Sequence, residues 1–189
     1  NDGTGSTLRA AFDICNDNFS ELYGGTTAAL GFKAEGTNFT GSLLVGHSTT
    51  GTIDNAYYNT ALGIGALDAL TTADYNVAIG YNTGTAITTG SSNILIGSNA
   101  GDALVGGASN IAIGSQALST EDGNGRNIAI GHSALENQNA GADAYNIAIG
   151  YTAGISISTG ANNVIIGGEA GDAITTGSGS VAIGRQALS

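Results

Sequence analysis

The chain has 189 residues, 41% apolar and only 10% charged, with 32 glycines and no proline, methionine or tryptophan. Four basic residues against 15 acidic ones leave a formal charge of −11. No face can then carry the basic stripe that neutralising a phosphate backbone requires, which excludes nucleic acid as a partner. No apolar run approaches the ~20 residues of a membrane-spanning helix, and the single cysteine, Cys15, excludes an intrachain disulfide framework.

In chain order, residues 1–25 form a helical lead-in. Leu8, Phe12, Cys15, Phe19 and Leu22 are spaced four, three, four and three apart, an a/d seam of under three heptads. Ser6 or Thr7 can cap its start, and Gly24 and Gly25 stop it. So short a helix is marginal alone and is expected to pack on copies of itself, with docking onto the following domain as the rival reading. Residues 26–41 read as a connector.

From residue 42 to 189 the chain repeats. The phrase Asn/Ser, apolar, apolar, Ile/Val/Leu, Gly closes at Gly46, Gly63, Gly80, Gly97, Gly114, Gly131, Gly150, Gly167 and Gly184, with every spacing 17 residues except one of 19. Seventeen residues are too few for a propeller blade or a helix pair but suit one turn of a β-solenoid, two short strands and two turns, stacked at roughly 4.8 Å per coil. A larger echo, Asn76–Gly90 against Asn146–Gly160, marks a block duplication. The fold expected is all-β: a parallel β-roll of about nine coils behind a short coiled-coil-like helix.

Within the phrase, the second and fourth residues (Val77 and Ile79, Ile111 and Ile113) share one face by alternation and are expected inside the roll. The third residue then points outward, yet it is Leu44, Ala78, Leu95, Ala112, Ala129, Ala148, Ile165 or Ala182. A strand apolar on both faces is buried on both. These residues, with the helical seam, are therefore the expected contacts of a homotrimer. The leading asparagines Asn76, Asn93, Asn110, Asn127, Asn146 and Asn163 are expected to adopt the left-handed conformation and to bond one another up the stack as a structural ladder rather than to hold a ligand.

Two resemblances attach to these motifs. The Asn-x-Ala-Ile-Gly coils of residues 42–189 resemble the YadA-like head repeats of trimeric autotransporter adhesins, which implies a left-handed parallel β-roll that trimerises along its axis. The opening, in Asn1–Gly5, Leu8–Phe12 and Asn16–Tyr23, resembles an N-terminal module of tail-fibre and other structural proteins of tailed bacteriophages. Together they imply a virion appendage whose partners are copies of itself, other virion proteins and a host surface glycan or protein. A secreted bacterial adhesin on the cell surface is the alternative, and an ice-binding roll the third reading, weakened because the Thr pairs recur irregularly.

Catalytic chemistry is not expected. His47, His132, Tyr81 and Tyr151 each follow a closing glycine, so the repeat rather than a triad sets their places. No Cys or His group has metal spacing, and Glu121–Gly125 lacks the alternating Asp of a calcium loop and reads as a turn. Asp102 and Asp172 are duplicates four coils apart, too distant to act as a carboxylate pair. No metal or cofactor is expected. The polar loops Ser119–Arg126 and Glu136–Asp143 belong to successive coils and are expected side by side.

Overall fold

The structure, a computed structural model, describes residues 32–33, 42–45 and 55–189. The helical seam of Leu8, Phe12, Cys15, Phe19 and Leu22 lies outside the described residues.

Among the described residues ten short strands form one sheet in chain order: β1 (Phe32–Lys33), β2 (Leu43–Val45), β3 (Thr60–Leu62), β4 (Val77–Ile79), β5 (Ile94–Ile96), β6 (Ile111–Ile113), β7 (Ile128–Ile130), β8 (Ile147–Ile149), β9 (Val164–Ile166) and β10 (Val181–Ile183). From β2 to β10 every pair is parallel and each phrase residue faces its equivalent, Leu43 opposite Thr60, Ala78 opposite Leu95, Ile128 opposite Ile147. The chain is a parallel β-solenoid with the period read from its sequence. Strand β1 falls in the expected connector and pairs antiparallel with β2, Phe32 opposite Val45, so that it covers the first edge of the stack.

Among the described residues each coil from Thr60 onward contributes one three-residue strand rather than the two expected. The rest of the coil carries left-handed positions too closely spaced for a second strand. The residue two after the closing glycine (Gly65, Asn82, Asn99, Gln116, Ser133, Thr152, Glu169, Gln186) has φ between +49° and +73° in every coil from Gly63 onward. The residue four after it, Leu67, Gly84, Gly101, Leu118, Leu135, Gly154, Gly171 or Leu188, is left-handed as well. Turns on this wall still bond coil to coil, as in Leu67 N to Thr83 O (3.1 Å) and Gly84 N to Ala100 O (3.0 Å). The closing glycine itself is obligatory: at Gly63, φ +141°, a Cβ would lie 2.2 Å from the carbonyl oxygen of Gly80 in the next coil.

The expected inside and outside of the strand are reversed. Leu44, Ala78, Leu95, Ala112, Ala129, Ala148 and Ile165 are wholly buried, and Ala182 is almost so, inside the chain's own roll. They are not available as contacts between chains. From β3 onward the second and fourth phrase residues look outward instead, Leu62 50% exposed, Ile79 37% and Ile94 40%, whereas Val45 of β2 is buried.

The reason is volume. The opposite wall already fills the narrow interior with Leu67, Leu118 and Leu135 four after the glycine, and with Leu70, Ile87, Leu104 and Ile157 seven after it. Only a small residue fits across from those leucines. Where the strand carries a large third residue, the flanking coils give way. A Cβ on Gly84 or Gly101 would come within 2.7 or 2.9 Å of a Leu95 methyl, and one on Gly171 within 3.1 Å of Ile165. Where the third residue is Ala129, the flanking positions are Leu118 and Leu135.

Candidate self-association face

The outward face of the sheet is built by the same alternation that buries the alanines. From β3 to β10 its two columns are Thr60, Val77, Ile94, Ile111, Ile128, Ile147, Val164 and Val181, and Leu62, Ile79, Ile96, Ile113, Ile130, Ile149, Ile166 and Ile183. All are partly or largely exposed, and all but Thr60 are aliphatic. In-register pairing at ~4.8 Å per coil makes them two continuous stripes some 35 Å long. β-Branched side chains suit the pleated surface, but a water-facing sheet normally alternates to polar residues. From Val77 onward the two columns are aliphatic throughout, an exposed apolar face larger than a water-facing sheet normally presents.

Aromatic residues border the stripes in the turn columns. Tyr58 stacks on Tyr75 in the next coil at 5.0 Å between ring centroids, and His132 on Tyr151 at 5.4 Å. These stacks follow from equivalent residues lying one coil apart. His132 therefore makes a ring contact with its equivalent in the next coil.

The asparagine ladder is continuous. Each leading residue's backbone N–H donates to the side-chain oxygen one coil earlier, from Asn59 to Ser42 Oγ (2.8 Å), through Asn93 to Asn76 Oδ1 (2.9 Å) and Asn127 to Asn110 Oδ1 (3.0 Å), to Ser180 onto Asn163 Oδ1 (2.8 Å). The amide Nδ2 donates to a turn carbonyl of its own coil, Asn76 to Gly90 O (2.9 Å) and Asn146 to Gly160 O (2.7 Å). Asn76, Asn93, Asn110, Asn127, Asn146 and Asn163 are all wholly buried. The left-handed residue is not the asparagine, as expected, but the one before it, such as Tyr75, Ser92, Arg126 or Tyr145. That twist turns the asparagine inward, where its side chain replaces the missing ladder partner.

The two polar loops do lie side by side. Arg126 pairs with Asp143, which also accepts from Gly125 N (3.1 Å), and Thr120 N donates to Glu136 O (3.1 Å). The Arg126 guanidinium sits over the Tyr145 ring at 5.7 Å.

Sequence reasoning missed what lies beneath these loops. Glu121 and Gln138 occupy the core column seven after the glycine and are wholly buried. Glu121 Oε1 accepts from Asn124 N (3.1 Å) and Asn124 Nδ2 (3.0 Å), which makes Glu121–Gly125 a turn closed on its own carboxylate. Burial pushes the Glu121 carboxyl above its ordinary value, against the lowering effect of those hydrogen bonds. The signal was available: the column otherwise reads Leu70, Ile87, Leu104, Ile157 and Ile174.

Among the described residues no group of His, Cys, Asp and Glu could hold a metal ion, and no helix is long and apolar enough to cross a membrane. Comparison of the chain with protein-family models, with curated proteins and with solved structures finds no match.

Proposed function

We propose that this chain is a non-enzymatic segment of a trimeric virion fibre, a rigid spacer that joins the particle to its host-recognition elements. The observation that carries the reading is the outward aliphatic face. A coil of 17 residues has a single interior, here filled by alanine and leucine, so a second apolar face along the whole rod calls for identical rods packed side by side. Parallel in-register coils give a stiff rod, and the opening motif's resemblance to phage fibre modules supports the setting. The trimer contacts belong to the Ile/Val stripes, in place of the alanine column.

The test is immunogold electron microscopy of purified phage particles and of intact bacteria, using antibody raised against residues 55–189. Label on particle fibres is the expected result. Label confined to the bacterial surface would overturn the virion assignment in favour of an adhesin.

A further inference from the structure

We propose that the enlarged coil encloses one structural water molecule, held by Glu121 Oε2, Gln138 Nε2 and Asn127 Nδ2. These atoms are three of the four buried side-chain atoms without a hydrogen-bond partner among the described residues, the fourth being Asp102 Oδ1. Their concentration at one level of an otherwise regular stack points to a common partner.

The positions converge. Glu121 and Gln138 are equivalent residues of successive coils whose backbones are bonded through Leu118 N to Ala134 O and Thr120 N to Glu136 O, so their side chains start about 4.8 Å apart. Gln138 and Asn127 are both held by Asn146, which donates from Nδ2 to Gln138 Oε1 (2.7 Å) and from its backbone N to Asn127 Oδ1 (3.1 Å). In the other coils the ladder amide finds a carbonyl 14 residues on, as Asn93 does at Gly107 (2.8 Å). Asn127 opens the 19-residue coil, and its Nδ2 has no such partner among the described residues.

The polarity of the site selects its occupant. Neither amide can be turned over, because the oxygen of each already accepts from Asn146. Glu121 Oε1 is likewise engaged by Asn124, so the site presents amide donors on two sides and one carboxylate acceptor on the third. A cation would face N–H groups, and an anion would face the carboxylate. Water can accept twice and donate, which matches all three, as buried waters typically do.

A crystal structure of the full chain that orders internal solvent is expected to place one water within hydrogen-bonding distance of all three atoms. Oxygen-17 relaxation dispersion should count one fewer long-lived water in Glu121→Leu/Gln138→Leu, which restores the apolar column. Glu121→Gln, whose Oε1 must still serve Asn124, would present a third donor and should lose the water too. A map showing Gln138 Nε2 donating directly to Glu121 Oε2 with no solvent between them would overturn the proposal. So would equal water counts in the native chain and a folded double variant. If the variants do not fold, the native crystal structure alone decides.

Discussion

Replacing Gly84 by alanine tests the packing rule that sets the inside of the roll. Two costs are expected. Gly84 has φ +56°, which costs an alanine about 1 kcal/mol. The new Cβ would also stand 2.7 Å from Leu95 Cδ1 and 3.0 Å from Ile87 Cδ1, an overpacking worth about 1–3 kcal/mol more. Gly141 is the control: it is left-handed at +69° with nothing within 4 Å of a Cβ, so Gly141→Ala should show the backbone cost alone. Leu95→Ala by itself should cost about 2–5 kcal/mol as a core truncation. Combined with Gly84→Ala it should cost less than the sum by about 1–2 kcal/mol, because the methyl that the new Cβ meets is gone. Urea denaturation of the two single variants and the double variant, followed by circular dichroism at matched protein concentration, measures the cycle. Strict additivity, or a Gly84→Ala cost no greater than that of Gly141→Ala, would refute the reasoning.

Other outcomes follow from the same structure. Asn93→Ala leaves Asn110 N and Gly107 O without partners inside the stack and should destabilise by about 2–4 kcal/mol, read as a lowered denaturation midpoint. Ala129→Glu puts a carboxylate in a column with no exposure, so it should abolish the fold by circular dichroism rather than merely separate chains. Glu121 binds its proton more tightly folded than unfolded, so its contribution is most favourable below its ordinary value of 4.5 and is lost as pH rises through the higher folded value. The melting temperature of the native chain relative to Glu121→Leu should therefore fall as pH rises above 4.5. A difference constant with pH would contradict the assignment.

Period, register and the asparagine ladder were legible because nine equivalent phrases state them in the same terms. The direction in which the strand faces was not. Alternation separates Ala78 from Val77 and Ile79 but does not say which set is inside when both are apolar. The instinct that the larger residues fill the core fails here, because the turn wall supplies its own leucines. The decisive pattern lay outside the strand, in the exchange of Leu67, Leu118 and Leu135 for Gly84, Gly101 and Gly171 beside Leu95 and Ile165. Glu121 and Gln138 were read as loop residues from their polarity, although their offset from the closing glycine assigns them to the core column. The left-handed residue before each asparagine escaped notice because tyrosine, serine and arginine carry no general preference for that conformation.

Sedimentation equilibrium tests the central claim most directly, that the outward Ile/Val face is covered by copies of this chain. The native chain should give three times its 18.5 kDa mass. Ile128→Glu/Ile130→Glu, placing charge on that face without touching the interior, should give a folded species of single-chain mass. A native chain that is folded and sediments as a monomer would contradict the account.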